Sequence, residues 1–237
     1  MKANLLLKVL TDEKNRNYKG GIYHKTQIQL TYNTNRIEGS RLTEEQTRLI
    51  FETKTIGTDK DAVLVNDIIE TTNHFLCVKF VIDNALEKLD EGMIKKIHLM
   101  LKSGTDDINI GEYKSMPNEV GGEQTVAPEN VGVEMKKLLT TYYVKKTKTL
   151  EDIICFHQQF EKIHPFQDGN GRVGRLIMLK ECLAHNIVPF IIEDTDKFFY
   201  YRGLKEWQNN RGFLMDTCLH AQDKYKKWLD YFRIEYS

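Results

Sequence analysis

The sequence predicts a mainly α-helical protein with one small irregular or β insert, and two observations carry this prediction. Prolines are rare, with four among 237 residues, and the long stretches between them repeat apolar residues at a spacing near ~3.6. One region interrupts the helical pattern, because residues 104–128 are rich in Gly, Pro, Asn and Ser. That composition favours turns over helices, so the insert is expected there.

Helical periodicity recurs along most of the chain. It is clear over residues 62–89, where Val65 and Ile68 begin an apolar face. The same spacing predicts helices over residues 93–101, 129–143, 150–163, 172–185 and 196–233, the last interrupted by a turn signal near Asn209–Gly212. A shorter helix is expected over residues 26–38, because Gly39 is a typical helix stop.

The insert predicts a small hairpin or an ordered loop. Its short segments Glu112–Lys114 and Asn118–Val120 lie beside Gly111, Gly121 and Gly122. Short polar and β-compatible runs bounded by glycines are typical of tight turns between strands. No repeat, low-complexity tract or linker divides the chain, so we expect one structural domain. Its expected parts are an N-terminal helical part over 1–89, a core over 90–220 and a C-terminal helix over 221–237.

The composition excludes several classes of protein. Lys and Arg total 34 and Asp and Glu total 34, so the balanced charge argues against nucleic acid or an anionic membrane as a partner. No stretch approaches the roughly 20 apolar residues of a membrane span, and Met1–Leu10 lacks the features of a signal peptide. Scattered cysteines without a C-x-x-C pair favour neither a zinc finger nor a disulfide framework. We therefore expect a soluble, cytoplasmic protein. The cysteines are Cys77, Cys155, Cys182 and Cys218.

The most informative segment for chemistry is His164–Arg175. Pro165 disfavours helical geometry at the preceding residue, so one helix should end near Ile163, and the next begins after Asn170. The intervening loop contains glycines, which let a ligand approach the backbone closely. A loop that opens a helix presents free N–H groups to an anion, assisted by the helix dipole.

The charged side chains of this segment suit a polyphosphate. Arg172 and Arg175 are three residues apart and share one face of the predicted helix, and paired guanidinium groups bind phosphates well. Asp168 supplies a hard oxygen ligand for Mg²⁺, and His164 is a natural general base near neutral pH. Each residue alone also fits an ordinary helix end, cap or solvated surface. Their joint occurrence indicates a base, a metal ligand and an anion-binding loop with paired cations in one short segment.

This segment resembles the signature of the Fic family, H-P-F-x-[D/E]-G-N-G-R-x-x-R, at every fixed position. The resemblance covers roughly residues 90–220. Residues 111–122 are similar to the family's flap hairpin, and Pro128–Val131 is similar to the start of its next helix. The resemblance implies the Fic fold, a helical bundle with a small β-hairpin flap over about residues 111–123.

Typical Fic proteins move AMP from Mg-ATP to a Ser, Thr or Tyr hydroxyl of a target protein and release pyrophosphate. Carried over by position, His164 would deprotonate the hydroxyl and Asp168 would hold Mg²⁺ or Mn²⁺. Relatives that phosphorylate instead carry a lysine at the position of Gly171. The resemblance therefore implies an adenylyltransferase with ATP as substrate.

The same carry-over assigns the nucleotide contacts. The loop Gly169, Asn170 and Gly171 would bind the α- and β-phosphates, Arg172 the β-phosphate and Arg175 the γ-phosphate. Aromatic faces stack on bases, although a tyrosine pair on a helix also fits ordinary packing. The residues implied for the adenine pocket are Tyr200, Tyr201 and Gln208, the last standing where relatives often place Asn.

A second motif bears on regulation. Thr34, Glu38 and Gly39 resemble the family's inhibitory motif, [S/T]-x-x-x-E-[G/N], and Thr34 and Glu38 share one helix face. The resemblance implies an inhibitory helix over about residues 26–39, in which Glu38 pairs with Arg175 and occupies the γ-phosphate position. Some relatives use this glutamate to remove AMP from the target. Inhibition, hydrolysis and both together stay open as roles for Glu38.

The flap would hold the target by main-chain pairing, which reads backbone more than side chains. The target protein is therefore not readable from the sequence, and the resemblance allows self-modification and a homo-oligomer. Transfer from another nucleotide and net removal of AMP stay open, as does a non-catalytic ATP-binding regulatory module. The residues implied for target docking are Met116, Pro117, Asn118, Glu119, Val120, Gly121, Gly122 and Glu123.

Overall fold

The computed structural model describes residues 4–57 and 62–236. Parts of the predicted segments, namely residues 1–3, 58–61 and 237, lie outside this description. Within the described residues the chain forms ten α-helices, a short 3-10 turn at Asp194–Asp196 and one hairpin, which confirms the mainly α prediction. The helices are α1 (Leu5–Asn15), α2 (Ile22–Ile37), α3 (Glu44–Thr53), α4 (Val65–Asp83), α5 (Glu91–Lys102), α6 (Pro128–Val144), α7 (Leu150–Ile163), α8 (Asn170–Ala184), α9 (Lys197–Lys205) and α10 (Gly212–Tyr231).

Most predicted helices are found near their expected bounds. The exceptions are α1 and α3, for which the sequence analysis predicted no helix. α3 begins with a capping box, in which the Thr43 side chain accepts from the Gln46 N–H and the Gln46 side chain accepts from the Thr43 N–H. The T-x-x-Q pattern is a known helix-start signal. α2 begins at Ile22, earlier than the predicted residue 26, after Gly21 as N-cap.

The hairpin is shorter than the predicted flap. Its strands are β1 (Glu119–Val120) and β2 (Glu123–Gln124), antiparallel, with Val120 opposite Glu123. Gly121 and Gly122 form the turn at φ 59° and 81°, which glycine adopts at little cost. The earlier segment 111–118 is an ordered loop, because the Lys114 N–H donates to the Pro165 carbonyl (2.9 Å) and not to a neighbouring strand.

The helix α8 lies at the centre of the fold. It packs against α7, α4, α5 and α2, and every residue from Asn170 to Leu183 is buried. Val173, Leu176 and Ile177 contribute to the main hydrophobic core. The helix also carries buried arginines, and buried cations need compensating partners. Carboxylates at the end of α2, on α4 and on the loop before α8 supply these partners.

The cysteines are all free thiols. Cys77, Cys182 and Cys218 are buried and Cys155 is half-buried, and burial raises the pKa of Cys77 to about 12. They are therefore protonated apolar side chains of the core at neutral pH. Within residues 4–57 and 62–236, a helix with the length and apolarity to cross a membrane is not found.

Candidate active site

The loop between α7 and α8 has a conformation set by its own residues. His164 ends α7 in the left-handed conformation at φ 51°, and its N–H donates to the Phe160 carbonyl (2.9 Å). Gly169 precedes α8 at φ 80°. The Asn170 side chain closes the loop, because its Oδ1 accepts from the Phe166 N–H (2.8 Å) and its Nδ2 donates to the Phe166 carbonyl (2.9 Å). The backbone N–H groups at the start of α8 are therefore held in place before any anion arrives.

Arg175 is buried, and residues of α2 and of its C-terminal end bind its guanidinium group. Its Nη2 lies 2.5 Å from Glu38 Oε1 and also donates to the Thr34 carbonyl (3.3 Å), while its Nε donates to the Thr34 hydroxyl. Burial alone would raise the pKa of Glu38, but Arg175 outweighs this effect and lowers it below the ordinary value. Glu38 is therefore ionised at neutral pH. The structure thus brings Thr34 and Glu38 to the arginine that the sequence motif connects with them.

Gly171 makes the approach of Glu38 possible. A Cβ at this position would lie 2.3 Å from Glu38 Oε1 and 3.0 Å from Arg175 Nη1, closer than real side chains come. The Glu38 carboxylate therefore lies against the first turn of α8, where the helix dipole and free N–H groups favour an anion. Gly39, at φ 99°, ends α2 just beyond it.

Arg172, the other motif arginine, is also buried and also paired with carboxylates. Its Nη1 contacts Glu70 of α4, and its Nη2 lies 3.0 Å from Asp168 Oδ2. Asp168 Oδ2 lies 2.5 Å from the Lys102 Nζ at the end of α5. Burial would raise the pKa of Asp168, but Arg172 and Lys102 lower it to about 2. Asp168 is therefore ionised at any pH near neutrality.

Three carboxylates surround the Lys102 ammonium. Glu70, Asp107 and Asp168 each present an oxygen, and these oxygens lie within 4.8 Å of one another. Hard carboxylate oxygens are the ligands that Mg²⁺ and Mn²⁺ prefer, and the ammonium of Lys102 stands among them as a cation of the protein itself. The donor set therefore fits a divalent ion beside Asp168. Sequence reasoning missed Glu70, Lys102 and Asp107.

His164 lies beside a buried carboxyl group. Its Nδ1 is 3.9 Å from Glu161 Oε2, and its side chain is 16 % exposed. Burial lowers the pKa of His164 to about 4, so the ring is neutral at pH 7 and able to accept a proton. Burial also raises the pKa of Glu161 to about 8, so this carboxyl group is protonated at neutral pH.

His98 of α5 connects the insert to the catalytic loop. Its Nδ1 accepts from the Gly111 N–H (2.9 Å), so its Nε2 carries the proton and donates to the Asp168 carbonyl (3.1 Å). The ring stacks on Phe166 with centroids 3.9 Å apart. Burial lowers the pKa of His98 to about 4, which agrees with this neutral form.

The hairpin is attached to the same loop at a second place. The buried Lys114 Nζ donates to Asn118 Oδ1 (2.7 Å) and Thr125 Oγ1 (2.5 Å), and Asn118 Nδ2 donates to the Phe166 carbonyl (3.0 Å). The Met116 N–H points to Gln167 Oε1 at 3.4 Å. The other residues predicted to dock the target, Pro117, Glu119, Val120, Gly121, Gly122 and Glu123, are exposed.

The residues predicted for the adenine pocket are in different environments. Tyr200 is buried and supports Arg175, because its hydroxyl accepts from Arg175 Nη1 (3.4 Å) and donates to His157 Nε2 (2.6 Å). Tyr201 is 39 % exposed, and its hydroxyl donates to the Ile37 carbonyl (3.5 Å). Gln208 is exposed in the turn after α9. Base stacking by these residues stays a prediction.

A family model described as the Fic/DOC family matches residues 88–182. This segment is similar to the Fic/DOC family and makes up less than half of the chain. The Fic segment includes the catalytic loop, His98, Lys102 and the hairpin, whereas Thr34, Glu38 and Glu70 precede it.

Curated relatives and solved structures extend the likeness beyond the Fic segment. The chain is 28 % identical over 182 residues to a protein adenylyltransferase Fic from Nematostella vectensis and 28 % identical over 210 residues to one from Drosophila melanogaster. These alignments cover 76 % and 86 % of the chain but only 43 % and 42 % of the relatives. The chain therefore spans less than half the length of the curated relatives it matches.

The solved structures show the fold. A Fic-domain signaling protein from Bacteroides thetaiotaomicron superposes with a TM-score of 0.76 at 23 % identity, covering 96 % of this chain and 94 % of that one. Fic-1 (residues 134–508) from C. elegans superposes with a TM-score of 0.74 at 20 % identity, covering 96 % of this chain and 72 % of that one. The predicted Fic fold is confirmed.

Proposed function

We propose that this chain is a protein adenylyltransferase, restrained by Glu38, that transfers AMP from ATP to a hydroxyl of a target protein. One observation carries the proposal. Arg172 and Arg175, buried on the first turns of α8, each bind a carboxylate from another helix. A carboxylate and a phosphate oxygen use guanidinium groups in the same way, so these contacts support phosphate binding by both arginines beside the catalytic loop.

The relatives support the same reaction class. The curated proteins that the chain resembles are named protein adenylyltransferase Fic. Because the chain covers less than half of them, the activity of this chain, its ATP substrate and its protein target are inferences. They rest on the family of residues 88–182 together with the geometry around His164.

In the proposed reaction, the neutral His164 takes the proton of the target hydroxyl at Nε2, since its Nδ1 faces Glu161. The hydroxyl oxygen bonds to the α-phosphorus as the bond to the bridging oxygen breaks, and pyrophosphate leaves. The loop N–H groups and Arg172 hold the phosphates in line. A divalent ion held by Asp168 would neutralise the negative charge that the phosphates carry.

Glu38 restrains this reaction by competing for Arg175. With the carboxylate bound there, the γ-phosphate loses its cation and the α-phosphate is displaced from the line of attack. A displacement of about 1 Å costs on the order of 100-fold in rate. We therefore expect the wild-type chain to transfer AMP slowly and the Glu38→Gly variant to transfer it rapidly.

Net removal of AMP is the second candidate function. The observation that favours it is the ionised state of Glu38, whose carboxylate lies beside the catalytic helix with its side chain 25 % exposed. An ionised carboxylate in this place is able to orient a water molecule for attack on a phosphodiester. In that case Glu38→Gly would lose the removal of AMP while gaining its transfer.

The test is label transfer from ATP labelled at the α-phosphate, with Mg²⁺ or Mn²⁺, alone and with cell lysate. We compare wild type, Glu38→Gly, and Glu38→Gly combined with His164→Ala. Strong labelling by Glu38→Gly alone, abolished by the second substitution, is the expected result. No labelling by any variant that binds ATP would overturn the proposal. Release of the label when wild-type chain is added to labelled protein would favour the second candidate.

A further inference from the structure

The Lys102 ammonium is buried among carboxylates at the end of α5. Its side chain is 2 % exposed, and its Nζ lies 2.5 Å from Asp168 Oδ2, 2.5 Å from Asp107 Oδ2 and in contact with Glu70. These oxygens come from three separate parts of the chain and converge on one nitrogen. Several carboxylate oxygens around one point are also the usual surroundings of a hard divalent cation.

The charges around this point do not balance. Three carboxylates face two cationic side chains, Lys102 and Arg172, so the cluster keeps an excess negative charge. The lysine is therefore held as a cation. A divalent cation at the same place would satisfy the carboxylates better than an ammonium does.

We propose that Lys102 is an internal counter-ion that takes the place of the divalent cation beside Asp168 and competes with it. The inference rests on the metal position that the proposed function gives to Asp168. Asp168 Oδ2 already accepts from both Lys102 and Arg172, so a divalent ion at this oxygen would be a third cation, which the other two repel strongly at such short range. The ion therefore binds only when the Lys102 ammonium moves off Asp168.

The Lys102 ammonium is able to leave Asp168 and remain paired with Asp107. Its flexible four-carbon stem lets the ammonium move while the α5 backbone stays in place, and Asp107 lies on the loop that follows α5, with a side chain 29 % exposed. Glu70 remains bound to Arg172 until a phosphate competes for that arginine. The metal thus displaces Lys102 from Asp168. The phosphates of the nucleotide displace Glu70 from Arg172.

The test measures binding of Mn²⁺ alone, without nucleotide or target, by the electron paramagnetic resonance signal of free Mn²⁺. We compare wild type, Lys102→Met, and Lys95→Met as the matched control. Lys95 also lies on α5 and also pairs with two carboxylates, Glu91 and Glu112, but outside the cluster. We expect Lys102→Met to bind Mn²⁺ at least about tenfold more tightly than wild type. We expect Lys95→Met to match wild type, and Asp168→Asn added to Lys102→Met to remove the gain.

Unchanged or weaker Mn²⁺ binding by Lys102→Met would overturn the inference. If that loss came with weaker ATP binding, Lys102 would be a phosphate ligand instead. Should Lys102→Met not fold alone, it is refolded with and without Mn²⁺. Recovery of its helical circular dichroism only with Mn²⁺ supports the exchange, and no recovery with Mn²⁺ contradicts it. Because metal binding is read without AMP transfer, failure of the label-transfer experiment and failure of this one are distinguishable.

Discussion

The carboxylate of Glu38 lies 2.5 Å from the guanidinium group of Arg175, on the face of α8 where Gly171 leaves room for it. Arg172, one turn earlier, is held in the same way by Glu70. Both motif arginines are therefore neutralised by carboxylates from helices other than their own. A nucleotide that uses these arginines has to compete with partners that the chain itself supplies.

Replacing Glu38 should change how much ATP stabilises the protein. Glu38→Ala and Glu38→Gly remove the partner of a buried cation, so we expect each to lose about 3–5 kcal/mol of unfolding free energy without ligand. Mg-ATP should then raise the melting temperature of both variants more than that of wild type, because Arg175 is free to bind phosphate. Thermal melts with and without Mg-ATP measure this. Equal ATP shifts in all three proteins would contradict competition at Arg175.

Gly171→Ala should weaken the Glu38–Arg175 contact, because the new Cβ would lie 2.3 Å from Glu38 Oε1. We expect label transfer above the wild-type level but below that of Glu38→Gly. In the Glu38→Gly background the same substitution should change transfer by less than about twofold, since the carboxylate it displaces is gone. Gly132→Ala in α6 is the control, because a Cβ there meets nothing within 4 Å. Equal losses in both backgrounds would mean that Gly171 acts only on the nucleotide.

Lys114→Met should loosen the hairpin without weakening ATP binding. The ammonium joins Asn118 to Thr125 across the base of the hairpin, and its loss removes both bonds. We expect faster amide hydrogen exchange over residues 118–125, measured by mass spectrometry, and an unchanged affinity for ATP. The exposed Lys137 provides a control in Lys137→Met, which should leave exchange as in wild type. Unchanged hairpin exchange in Lys114→Met would mean that other contacts hold the hairpin.

Glu161→Gln should stabilise the protein at alkaline pH and not at acidic pH. The Glu161 carboxyl has an ordinary pKa of 4.5, and burial raises it to about 8 in the folded chain. Between these values folding takes up a proton, so the stability of wild type falls as the pH rises. We expect the variant to exceed wild type by roughly 4 kcal/mol near pH 8 and to equal it near pH 4. Urea unfolding across this range measures the difference, and a pH-independent difference would contradict a protonated Glu161.

The catalytic loop was predictable because its geometry is local. Pro165 and Gly169 lie within the segment they shape, and the spacing of Arg172 and Arg175 alone places both on one helix face. The end of α7 and the start of α8 therefore lie close to where the sequence predicts them. The Thr-x-x-x-Glu pattern also led to the contact with Arg175, although only through its resemblance to a known motif.

The surroundings of Asp168 were not predictable. Lys102 is 66 residues away from it, and Glu70 is 102 residues away from Arg172. A lysine in the last turn of a helix usually lies in solvent and interacts with the helix dipole, so nothing in one sequence separates Lys102 from such a residue. The helix α3 is a different case, because its capping box was present in the sequence as Thr43 and Gln46.

The two sides of the candidate active site differ in how much a substitution there disturbs the rest of the structure. On the side of the two arginines, Arg172 and Arg175 belong to a helix buried from Asn170 to Leu183, so substitutions there disturb the core. On the opposite side, both two-residue strands of the hairpin are fully exposed. The sequence of the hairpin is therefore able to vary without disturbing the core, whereas the sequence around Arg172 and Arg175 is not.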